Sequence, residues 1–251
     1  MNMNIGVVGV GRLGICFALL LEQAGHKILA SDTRANYVAG LNRRQIITNE
    51  PQVADMLAAS SDFRATTDTR AVIEQSTVIY VMVATPSLAD GSYDVSAVWR
   101  VVDDIRECDF DLRGKVLVIG CTTNPGDCAK IQEVLRPLGV SVLYNPEFIA
   151  QGSIVNDLQR ADMVLIGGEH QDVMDRYAEI YNDIQTPPPN IHTMSLTAAE
   201  IVKIGVNCFL TTKISYANML GQVLIRSGLE SDVERALQAV GSDTKIGRAH
   251  V

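Results

Sequence analysis

No apolar run in this chain approaches the roughly 18–20 positions that cross a bilayer, so no helical membrane span is expected. Positive charge is also scarce: 21 Lys and Arg stand against 29 Asp and Glu. A net charge of -8 disfavours any broad surface for nucleic acid or anionic lipid. The five cysteines (Cys16, Cys108, Cys121, Cys128 and Cys208) form no CxxC pair and meet no histidine cluster. They read as free thiols of a reducing compartment, and no metal site is expected. The chain enters a strand-like run at Asn4 with no basic segment or cleavage site before it, so no secretory leader is expected and the location reads as cytoplasmic. Internal repeats and low-complexity stretches are missing too.

What is present is ordinary globular material, 47% hydrophobic and 20% charged. Its arrangement carries the information. Strand-like runs occur at 4–8, 27–30, 78–83, 115–119, 140–144 and 163–167, several of them near-continuous Val, Ile and Leu. Such runs suit strands covered on both faces by helices. Helical patterns at 12–24, 95–106 and 127–135 alternate with them, which predicts a Rossmann-type, doubly wound parallel sheet. Pro187-Pro188-Pro189-Asn190 breaks the pattern. After it, Ser195 or Thr197 can cap a long helix to about Arg226, ended by Gly228. The expected organisation is a dinucleotide-binding domain over 1–190, then a connecting helix and the start of an all-helical domain over 195–251.

Gly9-Val10-Gly11-Arg12-Leu13-Gly14 sits between the first strand and the first helix. Gly9 suits a tight turn, Gly11 a close approach to a pyrophosphate, and Gly14 close helix–strand packing. The free amides at Arg12 and Leu13 would face the phosphates at the positive end of the helix. The next strand ends at Asp32, 18 residues beyond Gly14, where a carboxylate can hold ribose hydroxyls and repel a 2′-phosphate. That favours NAD over NADP. Arg34 lies on the same rim, and an arginine there can instead hold a 2′-phosphate.

Later strands end in polar or turn-forming clusters: Ala84-Thr85-Pro86, Thr122-Thr123-Asn124-Pro125-Gly126 and Asn145-Pro146-Glu147-Phe148. Each has a plain reading as a turn or a helix cap. Together they would line the edge where α/β sheets bind ligands. On the long helix, Glu200, Lys203, Asn207 and Thr211 form one polar stripe. It reads either as a solvated face with a Glu200–Lys203 ion pair, or as substrate-facing groups above the cofactor.

With these residues the sequence resembles the UDP-glucose/GDP-mannose dehydrogenase family. The resemblance runs from Ile5 to about Gly247, through the glycine turn, Asp32, Arg64–Asp68, Val83–Pro86, Asp90–Asp94, Tyr144–Phe148, Ala199–Lys203, Asn207–Leu210 and Gly241–Gly247. It implies NAD-dependent oxidation of a nucleotide sugar at C6 from alcohol to carboxylate, with a UDP-sugar such as UDP-glucose as substrate. It also implies a homodimer built through the helical domain. By carry-over, Thr85 would lie against NAD and Thr122 would order a water. Glu147 would act as general base on that water. Lys203 and Asn207 would hold the C6 oxygen, and the backbone of Phe148, Ile149, Ala150, Gln151 and Gly152 would line the sugar nucleotide.

Three departures stand out. Gln151 replaces a second glutamate of the family's PEFLxEG pattern, and the STVPxGT loop reads Cys121-Thr122-Thr123-Asn124-Pro125-Gly126-Asp127. The family's GGxCxPKD loop, whose cysteine is the nucleophile, has no match, and neither Cys208 nor Cys121 has its context. The chain is therefore expected to be a truncated piece, inactive alone. Ile246-Gly247-Arg248-Ala249-His250-Val251 matches one reading frame of a common sequencing adapter. Two other readings remain open: a β-hydroxyacid dehydrogenase of the 6-phosphogluconate type, sharing the glycine turn and the Lys203–Asn207 spacing, and a non-catalytic NAD-binding module.

Overall fold

A computed structural model describes residues 2–149 and 152–243. Eight strands are ordered β3-β2-β1-β4-β5-β6-β7-β8 in one sheet. They are β1 (Asn4–Val8), β2 (Lys27–Ser31), β3 (Arg64–Thr66), β4 (Val78–Val81), β5 (Val116–Ile119), β6 (Ser141–Tyr144), β7 (Val164–Gly167) and β8 (Ile191–Met194). Between them run α1 (Arg12–Gln23), α2 (Ala35–Asn42), α3 (Val53–Ala59), α4 (Thr69–Gln75), α5 (Ser96–Arg106), α6 (Asp127–Leu135), α7 (Ile154–Gln159) and α8 (Gln171–Ile184). Helices α9 (Leu196–Arg226) and α10 (Val233–Gly241) follow.

The six apolar runs are all strands: the first keeps its bounds, β2 runs one residue further, and the other four are shorter by one or two residues at an end. The run at 78–83 stops at Val81, where Met82 turns out of the ladder after donating to the Val8 carbonyl at 2.8 Å. The sheet is parallel except at one joint. β7 meets β6 antiparallel, through Tyr144 and Gly167, and β8 then follows β7 in parallel. Hydrophobic runs do not encode strand direction, so this reversal had no sequence signal. The short strand β3 was likewise missed, being three residues with a charged first position.

The order of the sheet reverses beside β1, which pairs with β2 on one side and β4 on the other. In open α/β sheets that reversal leaves a crevice at the strands' carboxyl ends. Gly14 to Leu21 of α1 are buried without interruption. A helix apolar all round must be covered all round, and α1 packs among α3, α7 and α8 while α4, α5 and α6 form the second layer. Phe17 projects from α1 edge-on against Tyr80 of β4, with ring centroids 4.7 Å apart, and Tyr177 of α8 closes the cluster at 5.7 Å from Tyr80.

The chain divides into two compact units, residues 1–201 and 202–251. The division falls inside α9. In the second unit Phe209, Ile214, Met219, Val223 and Ile225 of α9 stand exposed, and Gly221 faces Val233 at the start of α10. Among the described residues no helix is long and apolar enough to cross a membrane.

The seating of α1 depends on Gly14. A methyl group there would enter the van der Waals shell of the Gly9 carbonyl oxygen, a backbone atom that cannot swing aside. Gly14→Ala should therefore cost about 1–3 kcal/mol in urea unfolding. An unchanged midpoint would mean the turn relaxes freely.

Candidate functional site

The site grows from strand ends held level by continued ladder bonds. Gly9 donates to Ser31 O at 2.8 Å, Gly120 to Val81 O at 3.0 Å, and Asn145 to Ile119 O at 2.9 Å. Because β1, β2, β4, β5 and β6 are parallel, their exits share one edge. Gly9, Thr85, Thr122 and Glu147 all follow strands that leave at that edge.

The first turn fits a dinucleotide. Gly9 has φ +91°, and a side chain there would meet Met82 O at 2.7 Å. Gly11 is different: a Cβ on it would meet nothing within 4 Å, so it borders open space. No side chain caps α1 and no acidic residue lies in its first turn. The amides at Arg12 and Leu13 thus lie in an N-terminal turn with no side-chain cap from Gly11 and no acidic residue of its own, the kind of turn where a phosphate can bind. Beside them a groove of about 320 Å³ is lined by Gly11, Arg12, Arg34, Tyr37, Ile47 and Thr48. A wider cleft of about 590 Å³ lies among Asn4, Lys27, Asp62 and Arg64, at the strands' opposite ends and away from these groups.

Asp32 and Arg34 form the rim beside the glycine turn. Arg34 grips Asp32 in a two-pronged pair, Nε to Oδ1 at 2.8 Å and a second guanidinium nitrogen to Oδ2 at 2.9 Å. Its guanidinium also lies 4.2 Å from the centre of the Tyr37 ring, whose hydroxyl donates to Val10 O. Partial burial pushes the Asp32 carboxyl up, but the bonds from Arg34 outweigh it and hold the carboxyl below its ordinary range. In this arrangement Arg34 is turned onto Asp32, and the acidic group at the rim is the Asp32 carboxylate. That suits ribose hydroxyls better than a 2′-phosphate.

At the other strand ends, Thr85 and Thr122 are half-buried. Glu147, Phe148 and Ile149 are half-buried as well. Ala150 and Gln151 lie outside the described residues, as do 246–251. Next in the chain, Gly152 donates its amide to both carboxylate oxygens of buried Glu50 at 3.1 Å, and Glu50 in turn lies 3.8 Å from Arg12 Nε. Behind Glu147 is a buried polar cluster that the sequence did not announce. Asn145 Oδ1 accepts from Tyr177 at 2.5 Å and from Tyr181, while Tyr181 also lies 3.2 Å from Glu147 Oε1. Burial, with the nearby Glu147 charge, pushes the Tyr181 phenol far up, so its proton stays on the oxygen as a donor.

The polar stripe of α9 is not a solvated face at its start. Glu200 is 0% exposed and accepts from Thr123 Oγ1 at 2.8 Å, from the Gly126 amide at 2.6 Å and from the Cys128 amide at 2.9 Å. It caps α6 from a distance of some seventy residues in sequence, which sets aside the first of the two readings of this stripe, a solvated face, at Glu200. The hydroxyl of Thr123 thus has a structural use. Lys203 and Asn207 belong to the second unit, where Lys203 is 8% exposed and Asn207 half-buried. Thr211 turns its hydroxyl back onto Asn207 O.

None of the four cysteines of the first unit is an activated thiol. Burial pushes Cys16 and Cys121 up to about 12, and raises Cys128 and Cys108 as well. Cys208 lies exposed on α9. Among the described residues no group of His, Cys, Asp and Glu can hold a metal.

Residues 3–185 match the family model described as "UDP-glucose/GDP-mannose dehydrogenase family, NAD binding domain", and residues 197–251 match its central domain. The UDP-glucose 6-dehydrogenase of Pseudomonas aeruginosa is 29% identical over 258 residues, covering 98% of this chain and 56% of that protein. The UDP-glucose 6-dehydrogenase AglM of Haloferax volcanii is 29% identical over 261 residues, covering 98% and 60%. A solved UDP-glucose dehydrogenase from Pyrobaculum islandicum superposes with a TM-score of 0.88 at 25% identity, covering 99% of this chain and 58% of that one. The chain thus spans less than two thirds of each of these relatives.

Two substitutions test the cofactor rim. Gly11→Ala faces open space and should cost under about 1 kcal/mol of stability, while obstructing the phosphate approach and weakening NAD binding at least about tenfold. Asp32→Ala releases Arg34, and calorimetric titration should then show NADP binding more tightly than NAD. An Asp32→Ala chain that still prefers NAD would contradict this account of the rim.

Proposed function

Because the chain belongs to the UDP-glucose/GDP-mannose dehydrogenase family, we propose that it is the cofactor-binding part of an enzyme that oxidises a nucleotide sugar, by default UDP-glucose, at C6 from alcohol to carboxylate. Residues 1–190 would form the NAD-binding domain, and 195–251 the connecting helix and the start of the central domain. The observation that carries this reading is the single edge shared by the glycine turn, Thr85, Thr122 and Glu147.

The amides at Gly11, Arg12 and Leu13 hold the pyrophosphate, and Asp32 holds the adenosine ribose hydroxyls. Bound NAD supplies the hydride acceptor. Thr85 lies along the cofactor, and Thr122 orders a water near the reacting carbon. Glu147 takes a proton from that water at one carboxylate oxygen when the oxidised carbon is hydrolysed. Tyr181, held by Asn145 Oδ1, lies against the carboxylate from behind. Lys203 and Asn207 hydrogen-bond the C6 oxygen and stabilise negative charge there. The backbone at 148–152 lines the sugar nucleotide.

The nucleophile is a different matter. The cysteine loop of the family has no counterpart in these 251 residues, and the thiols of the first unit are held protonated. The chain alone therefore binds NAD without turning over. The apolar side chains along α9 are those that a homodimer through the central domain would cover.

The test is an absorbance assay at the NADH band. With UDP-glucose and NAD, the chain alone should yield no NADH, and a protein carrying the remaining family domains should yield two NADH per sugar. One NADH from a small hydroxyacid, or turnover by the chain alone, would overturn the proposal.

A further inference from the structure

Asn124 stands where the family's STVPxGT pattern has a proline, which offers no side-chain hydrogen bond. Here its carboxamide does two jobs at once. Oδ1 accepts from the Tyr93 amide at 2.8 Å, and Nδ2 donates to the Tyr93 carbonyl at 3.0 Å. The side chain thereby imitates a strand neighbour for the backbone at Tyr93. Asp127 holds the carboxamide in that orientation: its Oδ2 accepts from Asn124 Nδ2 at 2.9 Å and from the Asn124 amide at 3.1 Å.

The segment so held is a small hairpin between β4 and α5. Ser87 bridges Tyr93, Leu88 donates to Ser92 O at 2.7 Å, and Asp94 donates to Pro86 O at 2.9 Å. Asp90 Oδ1 closes its tip by accepting from the Ser92 amide and hydroxyl. The hairpin is otherwise largely exposed; Leu88, for one, is open to solvent. It begins directly after Thr85, and Asn124 lies two residues after Thr122. The clamp therefore joins the loops that carry the two threonines assigned to the cofactor edge.

We propose that Asn124 is a positioning residue for the dinucleotide site: its two-way bond to Tyr93 makes the loops after β4 and β5 one rigid rim, fixing Thr85 and Thr122 relative to each other. This rests on the cofactor reading above. A loop restrained only at its ends would have to be ordered when NAD binds, at a cost in affinity. The clamp orders it beforehand.

The test uses the 251-residue chain with NAD as probe. Asn124→Ala removes both bonds; it should weaken NAD binding about tenfold and speed hydrogen exchange at the Tyr93 amide. Asn124→Asp separates positioning from general damage. The introduced carboxylate still accepts from the Tyr93 amide but cannot donate. Facing Asp127, with Lys130 3.4 Å from that carboxylate, Glu200 on the amides of Gly126 and Cys128, and Asp94 and Arg100 on the hairpin side, it should keep a proton to higher pH than a free carboxyl. The amide gives one N–H to Tyr93 O and one to Asp127, whereas an acid has a single O–H, which the two carboxyls would share. N124D should therefore bind NAD more weakly than N124A at pH 8, through repulsion of Asp127, and that extra deficit should shrink as pH falls to 5. Equal NAD affinity in wild type and N124A despite faster Tyr93 exchange would overturn the proposal, as would an N124D deficit relative to N124A that is absent at pH 8 or the same at pH 8 and pH 5. Absence of NAD binding by the wild type would instead overturn the cofactor reading on which it rests.

Discussion

The passage of α1 directly over the Gly9 carbonyl is the contact on which the rest of the structure depends. Only a residue without a side chain at Gly14 allows it, and only one with φ near +91° at Gly9 allows the turn beneath to pass Met82. With α1 so seated, its apolar surface from Gly14 to Leu21 becomes the centre of one helical layer, and its amino end comes to the strand edge. One backbone contact thus sets both the largest block of buried surface and the dinucleotide site.

Polar groups fasten the loops around that edge, and each is buried with partners. Glu200 is the clearest case: taking a carboxylate out of water costs several kcal/mol, and three donors at the start of α6 offset it. Asn145 takes two tyrosine hydroxyls on one oxygen and gives its amide to Leu165 O. Glu50 receives Gly152. The strand-end residues thereby owe their places to side chains from distant segments more than to the turns they sit in. Rigid placement of this kind is what a site needs if its groups are to meet a cofactor and a substrate without rearrangement.

Much of the fold was legible because parallel strands covered on both faces leave long Val, Ile and Leu runs, and because the glycine turn has one geometric meaning in a strand–turn–helix context. Asp32 was legible for the same reason, by its position after the second strand. The reversal of β7 was not, since period and hydrophobicity are blind to direction. Glu200 was placed on the right helix, but neither of its two readings, solvated charge or substrate-facing group, was a buried helix cap, because its partners at 123–128 lie more than seventy residues away. The tyrosines behind Glu147 and the clamp on Tyr93 were illegible for a like reason: hydrogen bonds between segments 30 or more residues apart leave no local pattern. The change from proline to Asn124 was visible as a departure, but its use emerged only with Tyr93 beside it.

The central claim is that this chain carries an NAD site at the shared edge of β1, β2, β4 and β5. Backbone amide NMR of the 251-residue chain during NAD titration tests it most directly. The account predicts one saturable site, with the largest shifts at Gly11, Arg12, Leu13, Asp32, Thr85 and Thr122. Shifts clustered instead around Lys27 and Arg64, or none at all, would contradict it.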